Sequence, residues 1–135
     1  MVESFKGGCL CGAVTYQVQG PFNGFHLCHC NRCRKATGSV HASNLFTEPE
    51  NLTWLSGEEH VRRFDLPTAK RFARNFCEIC GSALPYVNRP GTAVVVPAGS
   101  LDDDPHYTPD DHIFWLERVP WYDQITDAPH FDTYP

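Results

Sequence analysis

The sequence predicts a mainly β domain of short antiparallel strands with one short helix, and three observations carry that expectation. Val14, Tyr16 and Val18 alternate with Thr15 and Gln17, the period of a half-buried strand. Turn-forming residues recur throughout, with 11 prolines and 10 glycines in 135 residues, too many for a helix bundle. Seven cysteines fall in three tight groups, the pattern of a chain fastened by metal rather than by a large core. The length suits one domain, residues 1–135. It is short of the roughly 200 residues that a full α/β barrel needs.

The remaining strands follow from apolar runs between breakers. Beyond Gly20-Pro21, Ser39–Thr47 is the next candidate, followed by a strand around Leu52–Leu55. Val61–Leu66, Arg71–Phe76, Leu84–Val87, Ala93–Val96 and Ile113–Leu116 complete the set. Pro49, Ser56-Gly57, Pro67, Arg89-Pro90-Gly91, Pro97 and Pro105 punctuate them. The helix is expected over Arg32–Thr37, with Asn31 as N-cap and Gly38 closing it. Isolated helices below about 12 residues are marginal in water, so this one needs an anchor.

Charge narrows the partners. A net charge of -5 and a pI near 5.7 exclude a generally basic surface, so neither nucleic acid nor membrane is an expected partner. The cations that exist gather at Arg32, Arg34 and Lys35, and at Lys70, Arg71 and Arg74, beside cysteines in both cases. The opening residues, MVESFKGG, lack the apolar stretch of a secretory signal. The longest apolar runs, Ala93–Val96 and Ile113–Leu116, fall far short of the ~20 residues of a membrane span. A cytoplasmic protein is expected, in a compartment where thiols stay reduced. Zinc is therefore favoured over disulfides.

The groups are Cys9-Leu-Cys11, Cys28-His-Cys30-Asn-Arg-Cys33 and Cys77-Glu-Ile-Cys80. Strand geometry would place Cys9 with Cys11, and Cys28 with Cys30, on one face. Cys77 and Cys80, followed by Gly81, have the spacing of a zinc knuckle. Cys33 falls in the first turn of the helix, where amide donors and the dipole favour a thiolate. Zinc takes four ligands at a structural site and three plus an exchangeable position at a catalytic one. Seven cysteines divide as four plus three, and spacing alone leaves the pairing open. Cys9, Cys11, Cys77 and Cys80 with a separate Cys28, Cys30 and Cys33 is the economical division; another leaves Cys33 spare. Three thiolates around zinc make a soft, electron-rich centre, suited to a substrate thiol rather than to making hydroxide. Thiol chemistry is therefore favoured over hydrolysis, with a thiolate presented to an electrophilic carbon.

Other residues have plainer readings. Arg34 and Lys35 are expected to neutralise nearby thiolates, with substrate carboxylates as their other use. His29, between two ligands, is read as pointing away from the metal, and His26 and His112 lie near candidate strands. Asp102–Asp104 reads as a solvated turn. Trp115, Trp121 and Tyr122 read as packing residues, with Trp121-Tyr122 able to wall a pocket. Thr37, Gly38 and Ser39 read as a helix-ending turn.

The segments GGCLCGAVTY, CHCNRCRKATGS and FCEICGSAL, with VVVPAGSLDDDP and DHIFWLERVPWYDQI, resemble the glutathione-dependent formaldehyde-activating enzyme family, which includes centromere protein V. The resemblance implies a β-tent fold around two zinc ions. Carried residue by residue, it makes Cys9, Cys11, Cys77 and Cys80 ligands of a structural zinc, and Cys28, Cys30 and Cys33 ligands of a catalytic zinc. An open three-ligand site is also expected to be partly occupied in an oxidised or metal-poor sample. The implied activity is that of an S-(hydroxymethyl)glutathione synthase, joining glutathione to formaldehyde, formally a carbon–sulfur lyase running in reverse. A small thiol such as glutathione is the implied partner. The alternative class is a non-catalytic zinc-stabilised binding module, as the centromere relative illustrates.

Overall fold

Val14, Tyr16 and Val18 are all fully buried in the computed structural model, which describes residues 3–135. The strand expected from their alternation runs Thr15–Gln19. In chain order the strands are β1 (Ser4–Gly8), β2 (Thr15–Gln19), β3 (Gly24–Cys28), β4 (Ala42–Thr47), β5 (Leu52–Ser56) and β6 (Val61–Asp65). They continue with β7 (Ala73–Cys77), β8 (Ala83–Leu84), β9 (Tyr86–Val87), β10 (Val94–Pro97) and β11 (Asp111–Ile113). Helix α1 (Asn31–Thr37) is the one α-helix among the described residues. No helix there is long and apolar enough to cross a membrane.

Three sheets form, ordered β1-β2-β5, β11-β3-β4-β10-β9 and β6-β7-β8. All pairings are antiparallel except β3 with β11, which run parallel and set Cys28 opposite Ile113. The mainly β architecture of short strands is therefore the one the sequence predicts. Phe5, Tyr16, Val18, Phe22, Phe25, Leu45 and Val96 form the first apolar cluster. The other two clusters are built on cysteines: Cys9 and Cys77 with Val14 and Leu84, and Cys28, Cys30 and Cys33 with Ala42.

Several elements depart from expectation for local reasons. Strand β1 carries Gly7 and Gly8 and has no alternation to detect. A side chain at Gly7 would collide with the Ser100 carbonyl and the Tyr16 ring, so the strand is small by necessity. Strand β3 is not among the apolar runs read as strands, although strand geometry is expected for Cys28 and Cys30; it ends at Cys28, and its one marker before the cysteines is Gly24. The run Leu84–Val87 divides at buried Pro85, which has no amide for a ladder. The run Ile113–Leu116 stops at Phe114, whose left-handed conformation (φ 54°, ψ 41°) turns the chain into a 3-10 turn at Trp115–Glu117. The helix cap is Cys30, not Asn31: its sulfur accepts from the Cys33 amide at 3.3 Å. Gly38, at φ 67°, ends the helix in the left-handed region that favours glycine.

Candidate metal centres

The seven sulfurs gather in two groups, each within a span of 4.8 Å: Cys9, Cys11, Cys77 and Cys80 in one, Cys28, Cys30 and Cys33 in the other. All seven are free thiols. Neither Cys-x-Cys pair lies along a strand, contrary to the expectation of a shared strand face. Cys9 and Cys11 occupy the tight turn between β1 and β2, where the Cys9 amide donates to the Val14 carbonyl and the Gly12 amide to the Cys9 carbonyl, at 3.0 and 3.1 Å. Cys28 ends β3, and Cys30 leaves the strand to cap α1. Turns, not the pleat, bring the sulfurs together.

The four-sulfur group joins distant parts of the chain. Cys77 ends β7, and the following turn is closed by the Gly81 amide on the Cys77 carbonyl at 2.8 Å. Gly81 takes φ 77°, a conformation costly for other residues. Cys9 and Cys11 sulfurs lie 3.6 Å apart, and those of Cys11 and Cys77 3.9 Å apart. A tetrahedron of sulfurs around zinc has edges of about 3.8 Å, given Zn–S bonds near 2.3 Å. Amides point at the sulfurs as well: Val14 N to Cys9 at 3.3 Å and Ile79 N to Cys77 at 3.4 Å. Such donors stabilise thiolates. The donor set and spacing fit a soft tetrahedral metal.

The three-sulfur group is local, from the end of β3 and the first turn of α1, and all three cysteines are buried. A hydrogen bond from the Cys33 sulfhydryl draws the Cys28 thiol down to about 6, against the opposing effect of burial and with help from Arg32. That same hydrogen bond, and then burial, push Cys33 up. The trio lines a cleft of about 550 Å³ together with Arg32, Lys70 and Arg71. Among the described residues none of these cations pairs with a carboxylate. Phe46, Phe72, Tyr86 and Phe114 supply the larger apolar lining, and the Arg32 guanidinium lies 5.6 Å from the Phe114 ring centroid.

The other expected residues fall elsewhere. Arg34 and Lys35 do not line the trio's cleft; Lys35 lines a neighbouring one with Arg74, and Arg34 keeps a buried Nε without a partner. Trp121 is exposed and Tyr122 belongs to a cluster of rings, so neither walls the cleft. Asp102–Asp104 are exposed, with Asp104 capping the His106 amide at 2.7 Å. Thr37 accepts from the Ser39 amide at 3.1 Å, as a helix-ending turn requires. His26 bonds Asp111 at 2.6 Å. His29 is fully buried, and desolvation first, then His41 and His112, hold it below its ordinary pKa. Sequence reasoning missed Tyr86 and Phe114 as cleft residues: each lies in an apolar run read as a strand, Leu84–Val87 and Ile113–Leu116, and such a run does not say which cleft its side chains line.

A family model described as glutathione-dependent formaldehyde-activating enzyme matches residues 4–117. The chain belongs to that family. A protein of Halomonas elongata named "Putative glutathione-dependent formaldehyde-activating enzyme" is 32% identical over 126 residues, covering 89% of this chain and 80% of the relative. Among solved structures, a Rhodobacter sphaeroides protein superposes with a TM-score of 0.61 at 23% identity, covering 79% of this chain and 98% of that one. That likeness is one of fold. Within the family match lie all seven cysteines and every cleft residue named above.

Two measurements follow from this geometry. A metal at the four-sulfur group ties residue 9 to residue 80, and a structural zinc contributes an apparent ~10–16 kcal/mol in small peptides. That matches the ~5–15 kcal/mol stability of a whole domain. Cys77→Ser should therefore unfold the chain by circular dichroism, whereas Cys30→Ser, in the local trio, should leave it folded. Equal loss from both would contradict the division. The second measurement is metal affinity at the trio against pH, by chelator competition. Ligand thiols must be deprotonated to bind, so affinity falls with pH throughout. Below about pH 6, where Cys28 becomes protonated, one more proton must leave, and the slope of log affinity should steepen by about one.

Proposed function

We propose that the protein is a zinc-dependent enzyme of small thiol adducts that joins glutathione to formaldehyde, giving S-hydroxymethylglutathione by a carbon–sulfur lyase step in reverse. The observation that carries this reading is the three-sulfur group lining a cleft with three unpaired cations. In this reading Cys9, Cys11, Cys77 and Cys80 hold a structural zinc, and Cys28, Cys30 and Cys33 a catalytic one. A zinc ion bound by three thiolates supplies a soft centre whose remaining position suits a thiol sulfur. A non-catalytic module stabilised by zinc would need four ligands and no open position, whereas the trio offers three sulfurs facing a cleft, which favours the enzyme.

The chain's own residues then have distinct tasks. Arg32, Lys70 and Arg71 bind the carboxylates of the thiol substrate, placing its sulfur by charge-assisted hydrogen bonds. Phe46, Phe72 and Phe114 keep water from the space where the carbon–sulfur bond forms. Burial pushes the Tyr86 hydroxyl well above the ordinary tyrosine range. It stays protonated and serves as donor to the carbonyl oxygen. As sulfur attacks the carbonyl carbon, the thiol proton ends on that oxygen, so the adduct forms without a third reactant. The Halomonas elongata relative's name is in keeping with this assignment.

The reading extends to setting. A reducing cytoplasm keeps seven thiols available for metal. A single domain over residues 1–135 accounts for Tyr122, beyond the family match, packing on His29.

The test is adduct formation from glutathione and formaldehyde, followed by NMR against the facile uncatalysed reaction. The metal-loaded protein should accelerate it. Lys70→Ala should raise KM for glutathione about tenfold or more with kcat little changed, since a hydrogen bond to a charged group is worth ~1.5–3 kcal/mol. No gain over the uncatalysed rate with both metals bound would contradict the activity.

A further inference from the structure

His29 stands between two cysteines of the trio, yet does not line their cleft. Its side chain is fully buried. Four rings surround it at nearly equal distance: His41, His112 and Tyr122 with centroids at 5.0 Å, and Trp115 at 5.1 Å. Trp115 and Tyr122 meet it nearly edge-on, at 86° and 83°. Its Nε2 is bonded to His112 Nδ1 at 2.8 Å, and its Nδ1 is buried without a partner. An unsatisfied buried polar atom costs about 1–3 kcal/mol. A phenylalanine would fill such a ring cage without that cost, so the histidine's hydrogen bond to His112 is the feature that distinguishes it.

The same short segment is tied to the strap of residues 111–122 at every step. Cys28 pairs with Ile113 in the parallel ladder, and the His29 amide donates to the Ile113 carbonyl at 3.0 Å. Glu117 accepts from the Asn31 amide at 3.1 Å, and Arg32 lies over Phe114. A ring that cannot turn fixes the main chain on either side of it. Here that main chain carries two metal-ligating sulfurs.

We propose that His29 is a positioning residue: caged by four rings and bonded to His112, it fixes the main chain of Cys28 and Cys30 so that the trio's sulfurs meet one metal ion, and it makes that geometry depend on the strap 111–122. The inference rests on the trio holding a metal, as in the function proposed above. His29 touches no reacting atom. Its effect passes through the ligands, as outer-shell partners of metal ligands act elsewhere, where their loss costs roughly 10–100-fold in metal affinity.

His112 is exposed and far from every cysteine in sequence, so His112→Ala removes the hydrogen bond with little risk to folding. Tyr122→Leu opens the cage from the other side. Both variants, loaded with zinc, are compared with wild type for metal content, affinity of the second zinc by chelator competition, and melting temperature. Expected is a second zinc bound roughly 10–100-fold more weakly in each variant, with the first zinc retained and melting little changed. Two zincs at wild-type affinity in both variants would overturn the inference. So would parallel loss of both zincs with the melting temperature, which would mark a purely structural ring cluster. A wild type that binds one zinc would overturn the metal reading of the trio and this inference with it.

Discussion

Sulfurs held 3.6 to 3.9 Å apart govern the rest of this molecule. Two unit charges about 4 Å apart repel by ~1 kcal/mol in water and ~4 kcal/mol near a protein surface. As thiolates, sulfurs this close need a cation among them; as thiols they need none. The apolar core gives them structural weight, because two of its three clusters are cysteine clusters. Short strands with so many breakers bury little without such fastening. The four-sulfur group joins the β1–β2 turn to the β7–β8 turn, and so links the first sheet to the third.

The trio has the opposite character. Its sulfurs come from one short segment, so a metal there would close no long loop and contribute little to holding the chain together. What it gains instead is a cleft, with cations that have no acidic partner among the described residues. In a protein of net charge -5, three such cations around three sulfurs are a local inversion of the overall balance. Long-range attraction of acidic ligands is weak for such a chain, so the proposed substrate would be held by these close contacts.

Much of the fold was legible because its causes are local. The alternation at Val14–Val18 marks a strand with one buried face, and Gly38 marks a helix end that needs a left-handed residue. The cysteine groups were legible as groups through their spacing. Their geometry was not: a strand face was expected for Cys9 with Cys11 and for Cys28 with Cys30, and turns make both. Long-range packing explains the other misses. Strand β3 is defined by its partners β4 and β11, and Gly7 by the Tyr16 ring it must admit. The cations at the trio are Arg32, Lys70 and Arg71 rather than Arg34 and Lys35: the face of α1 that meets the cleft selects Arg32, and the segment leading into β7 brings Lys70 and Arg71. Strand geometry turns His29 away from the trio's cleft, as observed, but its full burial depends on rings more than ten residues away in sequence.

The most direct measurement is X-ray absorption at the zinc edge of the dizinc protein, with and without the selenol analogue of glutathione. Selenium replaces the substrate sulfur and scatters distinctly. A bound selenium neighbour should appear on half of the zinc, with the other half unchanged in a four-sulfur shell, because one metal has an exchangeable position and the other has none. An unaltered spectrum at saturating selenol, with both zincs present, would contradict an open thiol-accepting centre.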